Sequence, residues 1–105
     1  MIKHAVGLMI GSLVAMNGVA DEQLEQGKKV FTQEAQPSCT ICHTLSDAGS
    51  AGAIGPNLDE LAPSVEQVQN AVRSGVGVMP AFADSLSSEQ IEAVARYVAS
   101  VTGGE

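Results

Sequence analysis

The sequence predicts an all-α domain in which helices are joined by loops. Three segments carry apolar residues at the three- and four-residue spacing of a helix face. No stretch alternates apolar and polar residues over the length of a strand. The stretch 46–55 is rich in glycine, serine and alanine and indicates a loop, and the proline after Met79 interrupts any helix there. No repeat or change of composition divides residues 21–105, so we expect one domain.

The first predicted helix runs from Asp21 to Gln33. Its apolar and small side chains fall on one face of the helix: Leu24, Gly27, Val30 and Phe31. The charged residues lie between them, as expected for a helix with one face on the core and one in solvent.

Two further helices each begin with a capping box, in which a serine and a glutamine three residues later hydrogen-bond to each other's backbone. Ser64 pairs with Gln67, and Ser87 pairs with Gln90. The apolar faces of these helices are formed by Val65, Val68, Ala71 and Val72, and by Ile91, Val94, Ala95 and Val98. Gly75 and the Gly103-Gly104 pair end them.

The first 20 residues have the three parts of a secretory signal peptide. A basic residue, Lys3, precedes an apolar stretch from Ala5 to Met16, and small residues lead to a cleavage site between Ala20 and Asp21. A membrane-spanning helix needs about 20 apolar residues, which is more than this stretch offers. An uncleaved anchor is the alternative. We expect cleavage after Ala20, which leaves 21–105 as the secreted domain.

The run at 39–43 reads C-x-x-C-H, the pattern to which c-type haem is attached. Cys39 and Cys42 would form thioethers with the two haem vinyl groups, and His43 would bind the iron from one face. A zinc site would need a fourth ligand, and the only other histidine, His4, lies in the predicted signal peptide. A thioredoxin-like dithiol would need a preceding strand, whereas 32–38 is polar. A structural disulfide is the remaining alternative.

Met79 is the candidate for the second axial ligand of the iron. It is the only methionine outside the first 20 residues, and it precedes Pro80 in a loop 36 residues after His43. A thioether ligand opposite histidine is common in cytochromes and raises the reduction potential. Two alternatives stay open: Met79 as core filler, and an open sixth site that binds small gases or peroxide.

With C-x-x-C-H early and Met79-Pro80 late, residues 22–102 resemble the class I c-type cytochromes, in particular small bacterial monohaem ones. The resemblance implies a cytochrome c-like fold, with helices wrapped around one covalent haem c and its iron. It also implies that Gly27, Phe31 and Tyr97 pack where the first and last helices cross.

The same resemblance extends to the Gly-Pro-Asn-Leu stretch at 55–58. It implies that the carbonyl of Pro56 accepts a hydrogen bond from the second ring nitrogen of His43, which would fix the ring. This chain lacks the tryptophan that would hold a haem propionate. Arg73 is our candidate for that contact.

Electron transfer is the function that these features predict, rather than catalysis by the chain itself. No nucleophile or acid–base pair is recognisable once His43 is assigned to iron. Two alternatives stay open. The chain is either the haem subunit of a larger dehydrogenase, such as one oxidising sulfite or an alcohol, or a haem sensor or peroxidase with an open sixth site.

The chain is acidic, with a formal charge of −7. Without the first 20 residues, four basic against twelve acidic residues give −8. This balance argues against nucleic acid as a partner and predicts redox partners with a basic docking face, although acidity also serves solubility. Because the families that this chain resembles attach haem outside the bacterial cytoplasm, we expect a periplasmic location without a membrane span.

Overall fold

The computed structural model describes residues 21–105, and the predicted signal peptide lies outside them. The first helix, α1, covers 21–29 and continues in a π-helical turn over Val30–Glu34. The other elements are α2 (Cys39–Cys42), β1 (Thr44–Leu45), β2 (Ser50–Ala51), α3 (Leu58–Leu61), α4 (Val65–Ser74) and α5 (Ser88–Thr102). The predicted all-α fold class is confirmed. Within 21–105 no helix combines the length and the apolar character that crossing a membrane requires.

The expectation that no strand forms is wrong at one place. Strands β1 and β2 pair antiparallel, with Thr44 opposite Ala51 and Leu45 opposite Ser50. A 3₁₀ turn over Ser46–Ala48 joins them, and Gly49 closes it with a φ of 67°, a conformation that glycine adopts without steric cost. Strands of two residues are too short to produce an alternating pattern, which is why the sequence does not reveal them.

Both predicted capping boxes are confirmed. In α4 the Ser64 N–H donates to Gln67 Oε1 at 2.9 Å, and the Gln67 N–H donates to Ser64 Oγ at 3.1 Å. The box of α5 repeats these bonds between Ser87 and Gln90 at 2.8 and 3.1 Å. Each box satisfies two backbone donors that helix geometry leaves without partners, so the start of each helix is fixed by local sequence.

Helices α1 and α5 cross in close contact at Gly27. A Cβ atom at this position would collide with the carbonyl of Ala93 and with Cβ of Tyr97. Beside the crossing, the rings of Phe31 and Tyr97 meet edge to face, with centroids 6.2 Å apart and planes at 64°, an arrangement that aromatic pairs favour. The predicted packing roles of Gly27, Phe31 and Tyr97 are therefore confirmed.

The buried core continues from this crossing toward α4 and the turn before α5. Leu86 and Ile91 are both buried in it, as a hydrophobic staple around the Ser87 cap requires. The core cluster comprises Val30, Phe31, Ala35, Leu45, Leu58, Val72, Phe82, Leu86, Ile91, Val94, Tyr97 and Val98.

A polar contact ties the loop after α2 to the helix crossing. The Tyr97 hydroxyl donates to Asp47 Oδ2 at 2.6 Å, and Lys28 Nζ lies 3.5 Å from the same oxygen. Burial, followed by the hydrogen bond to Asp47, raises the pKa of Tyr97. The hydrogen bond from Tyr97, assisted by Lys28, lowers the pKa of Asp47. Three segments far apart in sequence are thus joined at one carboxylate.

We expect Gly27→Ala to destabilise the fold by about 1–3 kcal/mol, the usual cost of overpacking. In an isolated helix the same change would stabilise by about 1 kcal/mol, so the sign of the effect separates packing from propensity. The measurement is denaturant unfolding of the haem-loaded protein. Gln26→Ala, at an exposed neighbouring position, is the control and should change stability little. An increase in stability for Gly27→Ala would contradict the close crossing.

We expect Tyr97→Phe to lower the free energy of unfolding by about 1 kcal/mol near pH 7, through loss of a hydrogen bond to a half-exposed carboxylate. The lowered pKa of Asp47 means that its contribution is complete above its ordinary value of 3.8 and is lost as the pH falls through the lowered value. The difference between the two proteins should therefore shrink in acid. A difference that does not change with pH from 7 to 2 would exclude a charged acceptor.

Candidate haem site

The two cysteines lie on one turn of helix α2. Ser38 begins this turn by accepting a hydrogen bond from the Thr40 N–H at 3.3 Å, and the backbone N–H of His43 closes it on the Cys39 carbonyl at 3.0 Å. Residues three apart in a helix lie on the same face, so Cys39 and Cys42 face the same side. Both are free thiols. Burial raises the pKa of Cys39 to about 11, which keeps the unmodified thiol neutral at pH 7.

The His43 ring is held by the carbonyl oxygen of Pro56, 2.7 Å from Nδ1. A carbonyl oxygen only accepts hydrogen bonds, so Nδ1 carries the proton and donates. The other ring nitrogen, Nε2, then keeps its lone pair and is the form of imidazole that binds a metal. The structure therefore contains the hydrogen bond that the resemblance implied for Pro56.

Two glycines allow the loop after β2 to approach the haem motif. A Cβ at Gly55 would lie 2.8 Å from His43 Cε1, and a Cβ at Gly52 would lie 2.5 Å from the carbonyl oxygen of Ile41. The Gly55 N–H also donates to the Cys42 carbonyl at 2.7 Å. The loop thus needs small residues where it passes the histidine ring and the backbone of the motif.

Met79 is presented by a tight turn. The backbones of Val76 and Met79 exchange two hydrogen bonds of 3.1 and 2.8 Å around Gly77, whose φ is 57°. The Phe82 N–H then donates to the Val72 carbonyl at 2.8 Å, which ties the segment after the turn to α4. Met79 is partly buried against the core cluster. Its position is therefore fixed by backbone bonds on both sides.

Cys39, Cys42, His43 and Met79 all line one cavity of about 370 Å³. This volume falls in the range of cofactor pockets, about 300–1,000 Å³. Its walls are mostly apolar and include Phe31, Ile54, Pro56, Leu58, Leu61, Val68, Ala71, Val72, Phe82, Val94 and Val98. Apolar walls with two thiols, an imidazole nitrogen and a thioether form a donor set that fits covalent haem c. This cavity brings the cysteines, the histidine, the methionine and Pro56 together.

The alternatives to haem find less support in this geometry. Among residues 21–105, no three His, Cys, Asp or Glu side chains are grouped as metal ligands, so a zinc site lacks its ligand set. The segment before Cys39 is a π-helical turn followed by bends, not the strand that a thioredoxin-like motif requires.

Arg73 is not brought to the cavity. It lies exposed in the last turn of α4, and it is not among the lining residues. A residue that the sequence did not single out for this site, Gln67, does line the cavity. The signal that could have found Gln67 is its spacing, because it lies four residues before Ala71 and therefore on the same face of α4.

The family model described as cytochrome C oxidase, cbb3-type, subunit III matches residues 22–98. Cytochrome c6 of Bryopsis maxima is 35% identical over 85 residues, an alignment that covers 71% of this chain and 88% of that protein. Cytochrome c6 of Chlamydomonas reinhardtii is 38% identical over 85 residues, covering 71% of this chain and 52% of that protein.

A solved structure has the same fold. The crystal structure of the c-type cytochrome SorU from Sinorhizobium meliloti superposes with a TM-score of 0.76 at 48% identity, and covers 79% of this chain and 94% of that one. The family match extends over most of the described residues, and both thiols of the C-x-x-C-H motif line an apolar cavity. The chain therefore belongs to the cytochrome c family, as a small class I member with one covalently bound haem c.

Proposed function

We propose that this cytochrome is a periplasmic electron carrier whose haem iron is bound by His43 and Met79. The observation that carries the proposal is that one apolar cavity is lined by both side chains together with Cys39 and Cys42. Haem supplies one-electron exchange at iron when it is bound. The chain itself acts as a carrier of electrons and not as an enzyme.

Each ligand has a structural reason to stay in place during electron transfer. The Pro56 carbonyl holds the His43 ring through Nδ1, so the ring cannot rotate without breaking a bond of 2.7 Å. Met79 is held by the paired backbone of Val76 and by the following proline. Ligands that are fixed by their surroundings favour electron transfer, because little rearrangement accompanies a change of oxidation state.

The location is inferred from the first 20 residues and from the chemistry of attachment. The signal-peptide pattern ends at Ala20, directly before the first described helical residue, Asp21. The family to which the chain belongs carries covalent haem, and the signal peptide would deliver the unmodified thiols to the periplasm for attachment.

The proposed partners are redox proteins with a basic docking face. Residues 21–105 carry four basic and twelve acidic side chains, so long-range attraction favours a positively charged partner. The cavity lining, by contrast, contains no Asp, Glu, Lys or Arg among the described residues. Charge would therefore steer the approach, while the contact beside the cavity is apolar.

Exposed apolar side chains beside the cavity favour a second candidate, a permanent haem subunit of a larger dehydrogenase. Ile54 is 66% exposed, Val76 63% and Val78 87%, and all three line the cavity. Large exposed apolar side chains grouped in one place are typical of protein contacts. A stable subunit would stay bound to its partner when salt weakens charge interactions, whereas a carrier would dissociate.

We expect Met79→Ala to convert the oxidised protein to a high-spin spectrum and the reduced protein to one that binds carbon monoxide at neutral pH. The reduction potential should fall, because the thioether ligand raises it. Val78→Ala is the matched control, since it changes an exposed side chain on the same turn and should keep the spectrum. Carbon monoxide binding by the unaltered protein would reject the carrier and favour a sensor or peroxidase.

We expect the rate of reduction by the cognate enzyme to fall as salt rises from about 10 to 500 mM, because the Debye length shortens from about 30 Å to less than 8 Å over this range. The measurement is stopped-flow reduction at constant pH. A rate that is independent of salt would contradict a basic docking face. Co-elution with the enzyme at the highest salt would favour the permanent subunit.

A further inference from the structure

Polar side chains are rare in the lining of the haem cavity, and most of their hydrogen-bonding groups already have partners. Besides His43, the polar residues are Ser38 and Gln67. Ser38 Oγ lies 3.2 Å from the Phe31 carbonyl and 2.8 Å from Thr40 Oγ1, and it also accepts from the Thr40 N–H. His43 Nδ1 is bonded to Pro56.

Gln67 is different, because its capping box uses only the oxygen of its side-chain amide. Oε1 accepts from the Ser64 N–H at 2.9 Å. Only an oxygen can accept from this backbone donor, so the orientation of the amide is fixed and Nε2 lies on the other side. Nε2 has two donor hydrogens and no hydrogen-bond acceptor among the described residues. It is thus a fixed donor group that belongs to a side chain of the cavity lining.

The other capping box indicates what such a group binds. Gln90 makes the same two bonds to Ser87, and its Nε2 donates to the carboxylate oxygen Oε1 of Glu34 at 3.0 Å. The geometry of a capping-box glutamine therefore leaves the amide nitrogen free to bind a carboxylate. Gln67 has the same geometry but faces the haem cavity instead of a glutamate.

We propose that Nε2 of Gln67 donates a hydrogen bond to a propionate carboxylate of the haem. Carboxylates are the strongest acceptors that haem offers, and hydrogen bonds to charged groups are stronger than those to neutral ones. Gln67 is exposed as well as cavity-lining, so it lies where the cavity meets solvent. A carboxylate bound there keeps part of its hydration, which avoids the cost of burying a charge.

The surroundings of the cavity leave this role without a cationic competitor among the described lining residues. No lysine or arginine lines the cavity, and Arg73 is exposed outside it. Gln67 thus takes the role that the sequence suggested for Arg73. It is a positioning residue that acts through the haem carboxylate and has no contact with a redox partner in this role.

The expected consequence is a change in how the reduction potential depends on pH. An amide donor stabilises the ionised propionate and so lowers its pKa. Ionisation of the propionate places a negative charge near the iron, which favours the oxidised form. The pH at which the potential begins to fall therefore reports the propionate pKa. Removal of the donor should move this point upward by about one pH unit, the order expected for a hydrogen bond to an ionised group.

The test is a redox titration of the haem-loaded protein between pH 4 and 9, with Gln67→Leu compared with Gln90→Leu. Both variants lose a capping acceptor and add no charge, but only Gln67 lines the cavity. We expect the inflection to move upward in Gln67→Leu and to stay in place in Gln90→Leu. An unchanged inflection in Gln67→Leu, or an equal shift in both variants, would overturn the proposal.

A second pair protects the test against poor folding of Gln67→Leu. Gln67→Glu keeps an oxygen for the capping box but replaces the donor with a charge that repels a propionate, while Gln90→Glu adds the same charge elsewhere. A larger upward shift in Gln67→Glu supports the proposal, and equal shifts overturn it.

The inference rests on the haem site of the proposed function, so ligation is read separately. The methionine-to-iron charge-transfer band of each oxidised variant reports whether Met79 is bound. A protein without this band contradicts the proposed ligation, whereas a normal band with an unmoved inflection contradicts only the role of Gln67. Loss of the band in Gln67→Leu alone would mean that Gln67 acts on the ligand loop, which would also overturn the propionate contact.

Discussion

The hydrogen bond from His43 Nδ1 to the Pro56 carbonyl sets the chemical state of the ring on which the site depends. It assigns the proton to one nitrogen and leaves the other able to bind a metal. The bond also spans 13 residues, so it determines where the loop after β2 must run. Gly52 and Gly55 allow that path, because any side chain on them would strike the motif or the ring. A single bond thus links the choice of tautomer to the conformation of the loop.

The frame that holds this loop is the crossing of α1 and α5. Gly27 lets the two backbones approach, and Tyr97 extends from the crossing to Asp47, four residues after His43. Asp47 lies in the turn between β1 and β2. The short hairpin therefore connects the buried crossing to the haem motif, and the carboxylate of Asp47 serves as the point of attachment. Movement of α5 would be felt at the motif through this contact.

The parts of this structure that the sequence predicts are those with local causes. The capping boxes at Ser64 and Ser87 depend on residues three apart, and the thiols and histidine of the motif depend on residues within one helical turn. The role of Pro56 could be predicted only from the resemblance, because nothing in residues 43–56 alone specifies which carbonyl meets the ring.

Long-range contacts were not predictable for a physical reason. The bond between Asp47 and Tyr97 joins residues 50 apart, and no spacing rule relates an aspartate in a loop to a tyrosine on a distant helix. Arg73 was suggested by its charge, but its position in the last turn of α4 places it in solvent. Gln67 was recognised as a cap, which concealed that its amide has a second side with donors of its own.

The core and the haem cavity are built from the same residues, so stability and function cannot be separated in this chain. Phe31, Val72, Phe82, Val94 and Val98 belong to the buried cluster and also line the cavity. Residues 21–105 contain only two phenylalanines and one tyrosine, and a domain of this size gains little from its own core. The apolar faces of haem would pack against this cluster and enlarge it. Covalent attachment then contributes more than retention of the cofactor, because it makes a large part of the core permanent.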